Sequence, residues 1–183
     1  MTATMLEGDK RWAVGLELID DSTPALPQGV QSKLCDLATA IISALGLHAE
    51  VELCIRVVDL DEMSVLHEQW MGEPGATDVL SFPMDELRPC PPGGTPEEGV
   101  LGDIVICPAY VDQEGYPDLH ERLELLVVHG MLHLVGMDHA DEEDQRRMFD
   151  LQEELLQQWR SQAPAMSPGT PAPTHSGSVD ESH

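Results

Sequence analysis

Three histidines in the C-terminal half of the chain have the spacing of ligands to one metal ion. His129, His133 and His139 fall in the segment HGMLHLVGMDH. On a helix, His129 and His133 would present their imidazoles on one face, about one turn apart. Gly136 can adopt the left-handed backbone conformation that ends a helix, so the chain can turn and bring His139 beneath the other two. Asp138 either orients a ligand ring through its second nitrogen or caps the following helix. The spacing predicts a metal held by three neutral nitrogen donors.

A site with three protein ligands leaves one coordination position open, and such open sites suit catalysis. Closed structural zinc sites fill all four positions with protein ligands, often cysteines. The same histidine spacing occurs in metzincin proteases, which place a glutamate general base directly after the first histidine. Here that position is Gly130. The missing carboxylate disfavours peptide hydrolysis, and a metal-dependent amidase or peptidase is therefore only a third hypothesis.

Strand-like and helix-like patterns alternate around this segment. Alternating or β-branched apolar runs predict strands at 11–18, 51–58, 79–82 and 101–107. Apolar residues at three- and four-residue steps predict helices at 27–47, 62–70 and 119–135, and from 141 onward. Asp59 or Asp61 is a candidate cap for the second helix. The interleaving indicates a mixed α/β or α+β domain.

Length and composition indicate how the chain is organised. The chain has 183 residues, which allows one domain, expected at 1–160, followed by a disordered Pro- and Ser-rich tail at 161–183. Residues 89–99, with the sequence PCPPGGTPEEG, predict an exposed insertion. No apolar run approaches the ~20 residues of a membrane span, and the N-terminal residues do not resemble a secretory signal.

The cysteines are not expected to carry the chemistry. Cys35, Cys54, Cys90 and Cys107 are widely separated and form no C-x-x-C pair. Buried free cysteines behave as small apolar side chains. We expect four reduced thiols in a cytosolic protein.

Three collinear motifs resemble those of one known family. Residues 129–139 resemble the H-G-x-L-H-L-x-G-x-D-H signature of the YbeY family of bacterial rRNA maturation factors. Residues 77–83, with the sequence TDVLSFP, are similar to the family's T-[DN]-V-L-S-F-P, and residues 101–106, LGDIVI, to its L-G-D-I-x-I. The resemblance covers about residues 11–160, apart from the proline-rich insertion.

The resemblance implies a metal-dependent endoribonuclease specific for single-stranded RNA. Such proteins act in 16S rRNA 3′-end maturation and in quality control of defective ribosomes. The implied fold is a single α+β domain, with a small mixed β-sheet packed against helices and a zincin-like metal site. One Zn²⁺ per chain would be bound by His129, His133 and His139. The implied partners are rRNA and the small ribosomal subunit, with a ribosomal protein and a ribosome-associated GTPase as docking proteins. No membrane or DNA contact is expected, and the implied location is the cytoplasm.

The resemblance is incomplete at one position. Many family members carry an arginine, thought to contact RNA phosphate, just before the glycine that precedes T-[DN]-V-L-S-F-P. In this chain Met71 stands there, with Arg56 and Arg88 as candidate substitutes. Asp78 and Asp103, in the two outlying motifs, are candidates for a general base or for shaping the cleft. Simple turn or strand-end roles suit both aspartates equally.

The charge of the chain is unusual for a protein that acts on RNA. Thirty-four acidic residues against nine Lys and Arg give a net charge of −25, whereas RNA affinity rests largely on cations. Either bound zinc supplies local positive charge, or contacts with a ribosomal protein or GTPase deliver the enzyme to RNA, as the resemblance favours. A competing hypothesis is a ribosome-assembly binding factor with a structural metal and little nuclease activity.

Overall fold

A computed structural model describes residues 2–3 and 15–162 of the chain. The described strands are β1 (Thr2–Ala3), β2 (Gly15–Asp20), β3 (Glu52–Val57), β4 (Val79–Pro83) and β5 (Val100–Ile106). The described helices are α1 (Gln28–Ala44), α2 (Leu60–Met71), α3 (Pro108–Gln113), α4 (Leu119–Leu134) and α5 (Glu142–Gln162).

The strands form one mixed sheet in the order β1-β2-β3-β5-β4. Strands β2, β3 and β5 are parallel, while β1 and β4 run antiparallel to their neighbours. Strand β4 lies at one edge, where Ser81 pairs with Ile104 and Phe82 pairs with Asp103. The prediction of a small mixed sheet packed against helices is confirmed.

The two faces of the sheet are covered by different helices. Successive residues of a strand point to opposite faces. On one face, Ile55 and Ile104 belong to the main core, against which α1, α4 and α5 pack. On the other face, Leu80 and Val105 pack with Met63 of α2 in a smaller cluster. Alternate residues of β4 and β5 therefore face different helices, which separates side chains that are neighbours in sequence.

Helix α4 lies at the centre of the main core. It contacts α1, α3 and α5 as well as β4 and β5. Its residues 126–128 and 130–132 are all buried, which explains why the apolar run in this segment is nearly continuous. A helix held on several sides is a rigid base for the two histidines that it carries.

Most predicted elements occur, with boundaries that differ by a few residues. The strand predicted at 11–18 is observed from Gly15 to Asp20, and residues 11–14 lie outside the described part. Helix α3 was not predicted, and Pro108 suits its first turn. Asp59 occupies the N-cap position of α2, but its carboxylate accepts a hydrogen bond from the backbone N–H of Thr23 instead of capping α2 (2.9 Å).

Residues 89–99 form no helix or strand, and none of them is buried. Helix α5 continues to Gln162, two residues into the segment predicted as a tail, and the rest of that segment, 163–183, lies outside the described residues. No helix within 15–162 combines the length and apolar character needed to cross a bilayer.

Candidate metal centre

Helix α4 places two imidazoles against each other. His129 and His133 are one turn apart and half-buried. Their Nε2 atoms lie 3.1 Å apart, with a ring-centroid distance of 4.6 Å. The i, i+4 spacing on one helix face accounts for this proximity.

The turn after α4 returns the chain so that His139 joins the pair. Gly136 has a φ of 85°, and its N–H donates to the carbonyl of His133 (2.9 Å), while the N–H of Met137 donates to that of Leu132 (3.0 Å). These two hydrogen bonds form a Schellman motif at the C-terminal end of α4. The ring of His139 lies 5.1 Å from that of His133, and ligand nitrogens of the three histidines all lie within 4.8 Å of one another.

Asp138 and Asp141 have separate roles in this turn. The carboxylate of Asp138 accepts a hydrogen bond from the backbone N–H of His139 (2.7 Å). The carboxylate of Asp141 accepts from the backbone N–H groups of Glu143 and Asp144 at the start of α5 (3.0 and 2.9 Å). Asp138 therefore steadies the backbone of His139, and Asp141 caps the following helix.

The second nitrogen of each helical histidine has a fixed partner. His133 Nδ1 lies 3.0 Å from the carbonyl oxygen of Met137, and His129 Nδ1 lies 2.9 Å from the side-chain oxygen of Gln152 on α5. Because these oxygens can only accept, each ring donates its proton from Nδ1. Nε2 of each ring is then left with a free lone pair, which is the form that binds a metal.

The protonation and spacing of these rings fit a zinc ion. Burial lowers the pKa of His129 and of His133 from the ordinary histidine value, and the neighbouring histidines lower both further. Both rings are therefore neutral at pH 7, with two lone pairs facing each other across 3.1 Å. Two nitrogens on one tetrahedral zinc lie about 3.3 Å apart. His139, the third member of the donor set, is exposed.

Gly130 lets α4 approach the sheet closely. A Cβ atom at this position would lie 3.0 Å from the side chain of Ile104 and 3.1 Å from the hydroxyl of Ser81. Position 130 is buried and points into the sheet, away from the histidines. The residue after the first histidine therefore serves packing here, and it cannot supply a general base.

Of the two aspartates singled out from the sequence, Asp78 lies beside the histidines. Asp78, His129 and Arg122 line one cavity of about 330 Å³, and Asp78 Oδ2 lies 2.8 Å from Arg122 Nη2. Asp103 lies on the other face of the sheet, where it lines a separate cavity with Arg56 and residues of α2 and β4. The fold therefore brings Asp78 to the candidate site and separates Asp103 from it.

The two candidate substitutes for the family arginine also differ in position. Arg56 forms ion pairs with Glu62 (2.8 Å) and Asp21 (3.3 Å) on the face of the sheet opposite α4. The guanidinium of Arg88 lies directly against Gly136, at the turn that leads to His139. Met71 ends α2 and is 52% exposed.

The described cysteines are all free thiols. Burial raises the pKa of Cys35 to about 12. Burial, together with the nearby Asp103, raises that of Cys54 to about 11. Thiols with such pKa values stay protonated and are poor nucleophiles and ligands. None of the cysteines joins the histidine cluster.

Sequence reasoning missed Arg122, Phe149 and Gln152, which surround His129. All three line the cavity that contains His129, and the ring of Phe149 lies 6.4 Å from that of His129. Arg122 precedes His129 by two turns of α4, which the helical repeat could have suggested. Phe149 and Gln152 come from α5, and no local pattern connects them to the histidines.

Known proteins share much of this sequence and its fold. A family model described as Endoribonuclease YbeY matches residues 20–160. The Endoribonuclease YbeY of Thermobifida fusca is 50% identical over 133 residues, which cover 71% of this chain and 86% of that protein. That of Acidothermus cellulolyticus is 51% identical over 138 residues, covering 70% and 83%. The solution structure of TM1509 from Thermotoga maritima is similar, with a TM-score of 0.52 and 26% identity, covering 80% of this chain and 92% of that one. The chain belongs to the endoribonuclease YbeY family.

Proposed function

We propose that this chain is a zinc-dependent endoribonuclease that cleaves single-stranded RNA. Its proposed role is 16S rRNA 3′-end maturation and the quality control of defective ribosomes in the cytoplasm. The observation that carries the proposal is the donor set of His129, His133 and His139, whose ligand atoms lie within 4.8 Å of one another. Among the described residues, no further His, Cys, Asp or Glu joins this group. Three nitrogen donors without a fourth protein ligand among the described residues favour a catalytic over a structural metal.

The three histidines would hold one Zn²⁺, which would supply a Lewis acid beside a phosphodiester oxygen. The residues around them perform the remaining tasks. Gln152 and the carbonyl of Met137 orient the rings. Asp78 forms an ion pair with Arg122 and lines the same cavity as His129, and we propose it as the proton acceptor. We assign no catalytic step to Asp103, because it lies on the opposite face of the sheet.

Delivery by a partner is part of the proposal. A net charge of −25 opposes the approach of free RNA, because binding to phosphates depends on Lys and Arg. Contacts with the small ribosomal subunit, through a ribosomal protein or a ribosome-associated GTPase, would place the rRNA strand at the histidines without high affinity for free RNA.

The first test compares the native protein with His133→Ala. The native protein is expected to contain about one zinc per chain and to cleave an unstructured rRNA 3′-end fragment. Loss of an orienting partner alone typically costs 10–100-fold in affinity or activity. Loss of a ligand is therefore expected to leave well under one zinc per chain and to lower cleavage by more than about 100-fold. Metal analysis and a cleavage assay on denaturing gels measure these two quantities.

His120→Ala is the matched control, because His120 is an exposed histidine on the same helix. It is expected to retain both zinc and cleavage. Undiminished cleavage by a folded His133→Ala protein that has lost its zinc would refute the metal-dependent mechanism.

The alternative is a ribosome-assembly factor whose metal is structural. The acidic charge and Met71, at the position where many family members have arginine, favour it. Zinc without cleavage, even with assembled small subunits as substrate, would support this alternative. A His129→Ala protein that folds and binds ribosomes but no longer processes RNA would support the enzyme.

A further inference from the structure

A groove leads away from the histidines between α4 and α5. We call it the α4–α5 groove, and it is lined by Tyr116, Arg122, Phe149, Gln152 and Arg160. It consists of a cavity of about 560 Å³ that adjoins the cavity of about 330 Å³ containing His129. Arg122, Phe149 and Gln152 line both cavities. Each volume is in the range of clefts that bind small ligands, and the groove opens directly at the candidate metal centre.

Among the described Lys and Arg residues, Arg122 is the one that lines the cavity with His129. Its Nη2 donates to Asp78 (2.8 Å), and its guanidinium stacks on the ring of Tyr116, 4.2 Å from the ring centroid. The buried Nε–H of Arg122 has no hydrogen-bond partner among the described residues. The buried Nε–H is out of reach of a ligand, but a guanidinium has five N–H donors. The side chain of Arg122 is 23% exposed, so N–H groups on its exposed side are available to a phosphate.

Two large aromatic side chains stand exposed along the same groove. Phe149 is 42% exposed and Tyr116 is 41% exposed. The ring of Phe149 is 6.4 Å from that of His129, so this aromatic side chain stands beside the candidate metal centre. Aromatic side chains beside an arginine are the usual platform for unpaired bases.

Carboxylates also line the wider cavity. Asp118, Glu121 and Glu153 lie there, and Arg160 is engaged with buried Glu124 (3.6 Å). The groove therefore does not attract a polyanion through its overall field. Binding would depend on base stacking and on a single phosphate contact at Arg122. Stacking on Phe149 is available to an unpaired base but not to a base within a duplex.

We propose that the α4–α5 groove binds a single-stranded RNA segment, with one phosphate on Arg122 and the adjoining base stacked on Phe149. This inference rests on the proposed function and assigns strand selectivity to the groove. The strand would run from the three histidines past Phe149 toward Tyr116.

The test measures binding of a fluorescent, unstructured 2′-O-methylated oligoribonucleotide to the zinc-loaded protein at several salt concentrations. Arg122→Gln is expected to weaken binding about tenfold. It should also make the slope of log affinity against log salt shallower by about 0.7, the contribution of one single-strand phosphate contact. Phe149→Leu is expected to weaken binding about tenfold with an unchanged slope, because it removes only stacking.

Two control variants accompany them. Phe149→Tyr keeps an aromatic ring and should bind like the native protein. Arg147→Gln removes an exposed arginine of α5 that pairs with Glu143 outside the groove and should leave both affinity and slope unchanged. Because Phe149 is partly exposed, Phe149→Leu remains informative even if Arg122→Gln does not fold.

The outcomes separate the groove from the proposed function. Native affinity in both Arg122→Gln and Phe149→Leu, no binding by the native protein, or equal binding of a duplex of the same sequence would each overturn the groove proposal. If native protein binds as expected but cleaves no RNA, the groove stands and the nuclease assignment fails. In a cleaving enzyme, both variants are expected to raise KM more than they lower kcat.

Discussion

The two helical histidines differ in what holds their rings. The partner of His133 is the carbonyl of Met137, four residues away, so the turn that follows α4 orients this candidate ligand. The partner of His129 is Gln152, 23 residues away on another helix. Orientation of His129 therefore depends on the packing of α5 on α4, whereas that of His133 depends on the turn at Gly136.

Replacing Gly136 should disturb the metal centre through this turn. Gly136→Ala places a side chain in a left-handed conformation (φ 85°), where the new Cβ would also collide with the guanidinium of Arg88. We expect a loss of about 1 kcal/mol or more in stability from the backbone conformation and weaker zinc binding, because His139 is displaced. Urea unfolding and competition with a zinc chelator measure these two effects.

Gly72→Ala is the matched control for this substitution. Gly72 ends α2 with a φ of 72°, and nothing lies within 4 Å of a Cβ there. It should lose a similar amount of stability from the backbone alone while zinc affinity stays unchanged. Equal zinc affinity in Gly136→Ala and the native protein would show that the turn does not position His139.

At the scale of elements, a buried carboxylate ties three helices together. Glu124 of α4 is 2.7 Å from Lys33 of α1 and 3.6 Å from Arg160 of α5. Its side chain is only 3% exposed, whereas those of Lys33 and Arg160 are nearly half exposed. The buried carboxylate therefore needs its cationic partners to offset its loss of hydration, whereas water solvates the two exposed cations.

This asymmetry predicts the order of two destabilising substitutions. Lys33→Met leaves the buried carboxylate with only Arg160, at 3.6 Å, and should lower the free energy of unfolding by about 2–3 kcal/mol. Glu124→Gln removes the buried charge and should lower it by about 1–2 kcal/mol. Denaturant midpoints measure both values. Arg147→Met, which breaks an exposed pair on α5, should cost less than about 0.5 kcal/mol. A larger cost for Glu124→Gln than for Lys33→Met would contradict this account.

At the scale of the whole molecule, nearly all of the acidic residues precede residue 163. Residues 163–183 contain only Asp180 and Glu181 of the chain's 34 acidic residues. The part of the chain that contains the candidate site therefore carries nearly all of the acidic residues. Under the proposed function, contact with RNA would come from short-range interactions in the α4–α5 groove or from a partner that brings the strand close.

A chain shortened to residues 1–162 should behave like the full chain. The family match ends at residue 160, and α5 ends at Gln162. We expect its Tm to agree with that of the full chain within about 2 °C, with the same zinc content and cleavage rate. Calorimetry and the cleavage assay test this expectation, and a clearly lower Tm would show that residues 163–183 stabilise the domain.

The sequence alone was sufficient to identify the histidines, the helix that carries two of them and the family. These features are local: an i, i+4 pair, a glycine that ends the helix, and short motifs in a fixed order. Helix and strand periodicity likewise depends on residues that are neighbours in the chain, so most element positions followed from it. Helix α3 was missed, because a six-residue helix is too short to show a period.

Only the tertiary structure decided which side chains surround the histidines. Arg122 meets Asp78 across 44 residues of sequence, and His129 meets Gln152 across 23. Asp78 and Asp103 could not be ranked from their motifs. Asp78 precedes β4 and Asp103 lies within β5, and which of the two reaches the histidines depends on how the sheet packs against its helices. Contacts of this kind arise when separate elements bury their apolar faces together, and no local sequence pattern records that choice.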